Sequence, residues 1–252
     1  GDVFGRVVAG MLADAGADVS AVAVRPGSDT SQTLIVNVKG QDRRFIHAFG
    51  ANADFRASDI PADLSGAGIL YVGGYLILPA LDPRELAETL RRARAAGVKT
   101  VLDVVTPGPA DYLPRLAPVL PHVDVFLPND HEGLLITGLA DPMAQAERFL
   151  SMGAKTAIIT MAERGSVLAS EGLRLRAGSF SMPFVDGTGG GDAFAAGFMA
   201  GMLRGAPPEE CLRIASAVGA SCVRAIGTTA GVFSRQELDG FLGKNALAVE
   251  RA

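Results

Sequence analysis

The segment VDGTGGGDAF, residues 185–194, places an acidic side chain on either side of three consecutive glycines. Glycine backbones let successive N–H groups converge on one point, and the AFAAGFMAGMLRG that follows has a helical pattern, with an N-terminus that attracts anions. In the first helical turn, Asp192 could take a proton from a hydroxyl group beside that anion site, which is chemistry suited to phosphoryl transfer. On spacing alone, a tight turn capped by Asp192 is an equally good interpretation.

The composition is typical of one large globular α/β domain. The chain has 252 residues, of which 48% are hydrophobic and 20% are charged. Its net charge of −4, with scattered Lys and Arg, does not favour nucleic-acid binding. We expect neither a secretory signal nor a membrane span, because no apolar run reaches roughly 18–20 residues. Cys211 and Cys222 lack a metal-binding spacing, so we expect reduced, buried thiols in a cytoplasmic protein.

The middle of the chain alternates between strand and helix patterns. Apolar runs of strand length occupy 68–73, 99–105, 123–129 and 155–161. Amphipathic helix patterns occupy 83–97 and 141–153, and a proline-interrupted helical piece occupies 111–120. This alternation predicts an α/β fold with a doubly wound, mostly parallel sheet between layers of helices. Ligands of such sheets bind beyond the carboxyl ends of the strands.

Three other regions complete the predicted organisation. The first residues, GDVFGRVVAGMLADAG, have a helical pattern. Residues 32–49 contain two strand-like runs joined by KGQD, which indicates a hairpin standing off the main sheet. The tail 191–243 is mostly helical, with a glycine-rich break at 225–231.

The glycine segment carries a family resemblance. DGTGGGDAFAAGF resembles the signature D-T-x-G-A-G-D of the ribokinase-like (PfkB) carbohydrate kinases, whereas a Walker A loop is absent. The matching positions are Asp186, Thr188, Gly189, Gly191 and Asp192. Gly187 and Gly190 depart from the signature, but neither departure removes a side chain that the chemistry needs.

Further segments resemble the same family in the same order along nearly the whole chain. LPNDHE (127–132) resembles its N-x-x-E motif, and TMAERG (160–165) resembles its T-x-G-x-x-G turn, with Ala162 in place of the middle glycine. RAIGTTAG (224–231) resembles the glycine-containing loop beneath the adenine.

The resemblance implies a set of catalytic roles. Asp192 would be the base that deprotonates the acceptor hydroxyl, and the N–H groups of Gly189, Gly190 and Gly191 would form the anion hole. Asn129 and Glu132 would act on Mg²⁺ and the ATP phosphates, with Glu132 acting through water. Without the glycine segment, Asn129 and Glu132 read as a strand-end turn.

The resemblance also implies nucleotide and monovalent-cation sites. Thr160, Gly165 and Gly227 would contact ATP, although a plain strand end explains the first two equally well. Ser216 falls where relatives contact adenine, but packing inside a helix explains it better. The ligands of a K⁺ ion would be the following: Asp186, Thr188, and the carbonyl groups of Ala225 and Gly227.

On the acceptor side, the resemblance implies Gly74, Tyr75 and Asp103 as substrate contacts. Tyr75 could instead be a half-buried aromatic residue, and Asp103 could simply cap a loop. The hairpin, within about residues 20–50, would be a lid that excludes water and through which many relatives dimerise. His47 in it reads as structural, whereas Arg43 and Arg44 would suit a sugar-phosphate acceptor.

We treat 1–252 as a single kinase domain, with one departure from the family. The N-terminal strand and early sugar-binding segment of the family have no counterpart here. A sheet without its first strand would expose a central edge, so we expect about 30–50 further residues before Gly1 in the natural protein.

We therefore expect an ATP-dependent, Mg²⁺-requiring kinase that phosphorylates a primary hydroxyl group of a small sugar. A nucleoside kinase of the adenosine type is the alternative within the family. A non-catalytic nucleotide-binding regulator is the alternative outside it, although the retained Asp192 and Glu132 argue against decay of the site. A Rossmann dehydrogenase would need GxGxxG after a first strand, and the glycine-dense turn lies near the C-terminus instead.

Overall fold

The computed structural model describes residues 1–36 and 44–252. The KGQD turn and Arg43 fall outside these residues. Short 3₁₀ turns lie between the α-helices of the described residues. In chain order, the helices are α1 (Val3–Asp14), α2 (Pro83–Ala95), α3 (Leu113–Leu116), α4 (Asp130–Thr137), α5 (Pro142–Ser151), α6 (Gly190–Leu203), α7 (Pro208–Cys222) and α8 (Arg235–Leu242).

The strands form two separate sheets. They are β1 (Gln32–Val36), β2 (Arg44–Ala48), β3 (Ile69–Val72), β4 (Lys99–Leu102), β5 (Val125–Phe126), β6 (Thr156–Thr160), β7 (Ser166–Ser170), β8 (Leu173–Ala177) and β9 (Val249–Arg251). A seven-stranded sheet runs β3 to β9 in chain order, with β3–β6 parallel and β6–β9 antiparallel. β1 and β2 form an antiparallel pair, from Gln32 opposite Ala48 to Val36 opposite Arg44.

Both faces of the large sheet are covered, which confirms the predicted doubly wound α/β architecture. Adjacent strand residues point to opposite faces, so Ile159 packs with α2 and α5 residues such as Leu90 and Phe149. Ile158 packs on the other face with α6 and α7 residues such as Phe198. Continuous apolar strands follow from this double burial.

Local signals explain where the helices begin and end. At the start of α2, the Asp82 carboxylate accepts the N–H groups of Arg84 and Glu85 at 2.8 and 3.1 Å, and Pro83 occupies the first helical position. Gly97, just after α2, has φ +81°. The predicted helix at 83–97 is therefore confirmed, within the usual margin at its ends.

The α6 and α7 helices pack with their backbones in close contact. A Cβ atom at Gly197 would lie 2.8 Å from the Cα of Ala215, and one at Gly201 would lie 2.9 Å from the Cys211 Sγ. Real Cβ atoms do not approach so closely, so glycine is needed at both positions. This packing fixes the helix that begins at the glycine run.

Some elements differ from the sequence expectation. β7, β8 and β9 were not predicted, and the strand expected at 123–129 is limited to β5 at Val125–Phe126. The α1 helix was predicted, but it has no buried residue in the structure. Within the described ranges, no helix has the length and apolar character that a bilayer span needs.

Candidate active site

Backbone hydrogen bonds hold together the segments that follow neighbouring strands. The N–H of Asp103, after β4, donates to the carbonyl of Val72, the last residue of β3, at 2.9 Å. The N–H of Thr160, at the end of β6, donates to the Pro128 carbonyl at 3.2 Å, and Asn129 pairs with Thr160. The carboxyl ends of β3 to β6 thus form one continuous edge, as the parallel arrangement predicts.

Asn129 and Glu132 begin α4 as a capping box. The Asn129 Oδ1 accepts the Glu132 N–H, and Glu132 Oε2 accepts the Asn129 N–H, both at 2.9 Å. Glu132 is only 7% exposed, and burial raises its pKa to about 7 although the N–H groups of Asn129 and Thr106 stabilise its charge. The nearby charges of Asp103 and Asp192 raise this pKa further. The capping box therefore holds the buried Glu132 carboxylate in place near Asp103 and Asp192.

Asp103 lies next to this carboxylate, at the end of β4. Burial raises its pKa to about 7, and the charge of Asp192 adds to the effect. Its Oδ1 accepts the N–H of Val104 at 2.8 Å, and its Oδ2 accepts the hydroxyl of Tyr71 at 3.1 Å. Both oxygens are thus held by the protein.

Asp192 occupies the first turn of α6 and remains open to solvent on one side. Protein around it disfavours the charged form, so its pKa is raised above the usual range for Asp. No three His, Cys, Asp or Glu side chains within 1–36 and 44–252 converge closely enough to hold a metal ion by themselves. A Mg²⁺ ion here would therefore draw most of its ligands from phosphate oxygens and water, which is its usual coordination.

The glycine run forms the N-terminus of α6. Gly189 has φ +80°, and a Cβ on it would lie 2.9 Å from the Cβ of Thr228. The Gly190 N–H donates to the Gly187 carbonyl at 3.3 Å, so that donor is already engaged. A Cβ on Gly191 would meet nothing within 4 Å. The run therefore borders open space at Gly191, which fits an anion at the N-terminus of α6.

Asp186 joins this loop to the loop at 225–231. It is 5% exposed, and its carboxylate accepts the N–H and hydroxyl of Thr188 at 3.0 and 2.7 Å and the N–H of Gly227 at 3.2 Å. The Cys222 Sγ lies 3.4 Å from the Thr188 carbonyl. The structure thus brings Asp186, Thr188 and Gly227 together, with Ala225 two residues before Gly227.

The turn after β6 has one strained residue. Ala162, which replaces the family glycine, has φ +50°, a value that L-residues with a Cβ rarely adopt. Gly165 has φ +86°, and a Cβ on it would lie 2.0 Å from the Ala177 carbonyl oxygen. Arg164 forms an ion pair with Asp130 of α4, so this turn is tied to the helix that begins at Asn129.

Two of the predicted contacts have buried side chains. Tyr75 has no exposed surface, and its hydroxyl donates to the Arg115 carbonyl at 3.1 Å. Its side chain supports the core, which corrects the expectation that it reaches a substrate. Ser216 is 7% exposed inside α7, which fits the packing interpretation. Gly74, with φ +63°, begins the turn that takes Tyr75 inward.

The sequence interpretation missed two groups that hold the carboxylates in place. The hydroxyl of Tyr71 and the N–H of Thr106 reach Asp103 and Glu132 respectively. Tyr71 lies inside an apolar strand and Thr106 in a loop without a motif, so neither gave a local signal. Only the pairing of β3 with β4 brings Tyr71 beside the end of the next strand.

Comparison with known proteins gives consistent matches. The model of the pfkB family carbohydrate kinases matches residues 1–234. The cytidine kinase of Thermococcus kodakarensis is 30% identical over 202 residues, which cover 78% of this chain and 69% of the relative. The ribokinase of Haemophilus influenzae is 27% identical over 248 residues, which cover 96% and 78%. The structure of Arabidopsis thaliana ribokinase with ribose and ATP matches the fold with TM-score 0.78 and 23% identity, over 95% of this chain and 78% of that one.

Proposed function

The chain belongs to the pfkB family of carbohydrate kinases, and on this premise we propose that it transfers the γ-phosphoryl group of ATP to a primary hydroxyl group of a small sugar. One observation carries the proposal: the Asp192 carboxylate lies in the first turn of α6, directly after the glycine run and its open space at Gly191. A base and an anion site side by side are the minimal requirement for phosphoryl transfer.

Asp192 would act as general base. The acceptor oxygen forms a bond to the γ-phosphorus, the bond from that phosphorus to the bridging oxygen of ADP breaks, and the hydroxyl proton goes to Asp192. The raised pKa of Asp192 makes it a stronger base than an ordinary surface carboxylate. The N–H groups of Gly189 and Gly191 would stabilise charge on the transferring phosphoryl oxygens.

Asn129 and Glu132 would hold the metal–phosphate side of the site. Bound Mg²⁺ supplies charge neutralisation to the phosphates. The Glu132 carboxylate, held by the cap, would orient a water in the metal shell, and the Asn129 amide would donate to a phosphate oxygen. Thr160 and Gly165 would lie along the nucleotide, on the turn that the Arg164–Asp130 ion pair ties to α4.

Asp186 and Thr188 would support a K⁺ site with the carbonyl groups of Ala225 and Gly227. The support is that Asp186 bridges both loops while buried. A cation there would stabilise the loop that ends in the glycine run. We include Gly227 among the nucleotide contacts for the same reason, because its loop faces α6.

The acceptor would bind near Asp103 and Gly74, under the pair β1 and β2. Leu34 and Ile46 of this pair are 62% and 65% exposed, which suits a lid surface that becomes covered on closure or in a homodimer. Light scattering of the purified protein would distinguish dimer from monomer. Nothing in this arrangement calls for a nucleic-acid or membrane partner.

A nucleoside kinase is the second candidate, favoured by the 30% identity to a cytidine kinase. The deciding experiment measures ADP formation with ATP and Mg²⁺ against a panel of sugars and nucleosides. We expect turnover with at least one acceptor, and its loss by a factor of about 10²–10⁴ in Asp192→Asn with ATP binding retained. Asp141→Asn is the matched control, because Asn caps α5 as well as Asp does. ATP binding without turnover on any acceptor would instead favour a regulator.

A further inference from the structure

Tyr71 lies at the edge of the proposed site without having a role in it. It is the residue before the last one of β3, and it packs against the hydrophobic cluster that includes Phe194 and Phe198 of α6. Its hydroxyl donates to Asp103 Oδ2 at 3.1 Å. The two residues are 32 positions apart in sequence.

The backbone next to Tyr71 is fitted to its ring. A Cβ on Gly73 would lie 2.9 Å from Cε1 and 3.0 Å from the hydroxyl oxygen of Tyr71. Any other residue at position 73 would therefore push the ring, and with it the hydroxyl group, away from Asp103. Gly73 allows the ring to fold back over the end of its own strand.

The hydrogen bond from the Tyr71 hydroxyl is one of two that hold the Asp103 carboxylate in place. The other oxygen, Oδ1, accepts the Val104 N–H at 2.8 Å. A carboxylate with a directed donor on each oxygen is held in one rotamer and presents its remaining lone pairs in one direction. The charge of Asp192 acts on Asp103, and the charge of Asp103 acts on Glu132, so the orientation of Asp103 matters to the whole cluster.

We propose that Tyr71 is a positioning residue for the acceptor: its hydroxyl holds the Asp103 carboxylate in the orientation that binds an acceptor hydroxyl group. This inference rests on the proposed function, in which Asp103 contacts the acceptor. In this proposal Tyr71 is not itself a substrate contact. Its action passes entirely through Asp103, and this sets it apart from a merely structural tyrosine.

The chain offers a matched control. Tyr75, four residues later, also donates a buried hydroxyl at 3.1 Å, but its acceptor is the Arg115 carbonyl in the core. Tyr71→Phe and Tyr75→Phe each remove one hydroxyl and one hydrogen bond of the same length. We expect both variants to be folded and similarly destabilised.

The first experiment is steady-state kinetics on an acceptor that the wild type turns over. Tyr71→Phe should raise KM for the acceptor about tenfold, the effect of a hydrogen bond to a charged group, with KM for ATP unchanged. Tyr75→Phe should leave both KM values unchanged. In the Asp103→Asn background, Tyr71→Phe should add little, because its target is already removed. Equal kinetic effects of the two tyrosine variants, or full additivity with Asp103→Asn, would overturn the proposal.

The second experiment does not depend on turnover, so it separates failure of this inference from failure of the proposed function. The ¹³Cγ chemical shift of Asp103 reports its ionisation. A hydroxyl that donates to the charged form lowers a carboxyl pKa, so Tyr71→Phe should move the midpoint of Asp103 upward and Tyr75→Phe should not. An unchanged midpoint in Tyr71→Phe would show that Tyr71 does not act on Asp103. An inactive wild type with a shifted midpoint would refute the kinase and retain the Tyr71–Asp103 link.

Discussion

Asn129 and Glu132 cap each other across the first turn of α4, through two hydrogen bonds of 2.9 Å that run in opposite directions. The same two residues stand at the edge where the phosphates are expected. The Glu132 carboxylate therefore has a structural role as a helix cap and a proposed catalytic role. The two roles can be separated by substitution.

Glu132→Gln should preserve the cap and impair the chemistry. Gln at this position can still accept the Asn129 N–H, so the free energy of unfolding should change little. The lost charge should lower turnover and Mg²⁺ affinity by about 10–100-fold, as for other residues that act through metal-bound water. Urea unfolding and a Mg²⁺ titration of the initial rate provide the measurement.

The control for this variant is a second capping box. Ser234 and Glu237 cap each other on α8, on the protein surface. Glu237→Gln should leave both stability and kinetics unchanged. If Glu132→Gln retained wild-type Mg²⁺ dependence, Glu132 would have a capping role alone.

Gly191→Ala should leave the fold intact but reduce activity. A methyl group there meets no protein atom within 4 Å, and Ala favours a helix over Gly by about 0.5–1 kcal/mol. The methyl would enter the space expected for the phosphoryl group, so kcat/KM should fall about tenfold or more. Gly240→Ala in α8, also unobstructed, should share the stability effect without the loss of activity.

Gly189→Ala should behave differently from Gly191→Ala. At φ +80°, with Thr228 2.9 Å from the new Cβ, it should lower the melting temperature clearly. Thermal melts of the three alanine variants would decide the matter. A destabilised Gly191→Ala with normal kinetics would contradict the anion-site assignment.

Ala162→Gly should stabilise the protein. The alanine is exposed at φ +50°, so glycine relieves backbone strain of about 1 kcal/mol. We expect a higher denaturant midpoint with an unchanged slope of the unfolding free energy against denaturant. Ala95→Gly, in the exposed last turn of α2, is the control and should lower stability by up to about 1 kcal/mol. A midpoint that falls in both variants would show that the turn carries no such strain.

Stability should fall as pH rises through the neutral range. Burial raises the pKa of Asp103 to about 7, from about 4 in the unfolded chain. The folded state therefore binds more protons between these values, so this group's contribution is favourable below about pH 4 and is lost as pH rises to about 7. Asp103→Asn should remove that loss and raise the melting temperature more at pH 8 than at pH 5, by differences of roughly a few degrees.

The melts for this prediction are run without Mg²⁺ or nucleotide, so that ligand binding does not contribute. Asp141→Asn, which caps α5 at the surface, should give a curve parallel to the wild type. A parallel curve for Asp103→Asn would mean that burial does not perturb Asp103.

Local signals predicted most of the fold, and long-range contacts account for what was missed. The helix at 83–97 can be predicted from Asp82, Pro83 and Gly97, because helix capping depends on residues that are neighbours in sequence. β7 and β8 are short, and β9 has three residues whose strand character comes from pairing with β8. No local pattern could supply that pairing.

The same division holds for the candidate site. Motif resemblance pointed to Asn129 with Glu132 and to Asp192 behind the glycines, whereas spacing alone left a capped turn as an equal or better interpretation of each. The Tyr71–Asp103 bond joins residues on two strands, and it follows only from their register. The engaged N–H of Gly190 depends on turn geometry that the letters GGG do not specify.

The close contact of α6 with α7 has a consequence for motion during turnover. With Gly197 close to Ala215 and Gly201 close to Cys211, we expect the close packing to oppose movement of α6 relative to α7. We therefore expect the part of the site that carries Asp192 to stay in place during turnover. If the pair β1 and β2 acts as the proposed lid, enclosure of an acceptor would come from displacement of that pair. Hydrogen exchange should consequently be slow along α6 and fast in that pair.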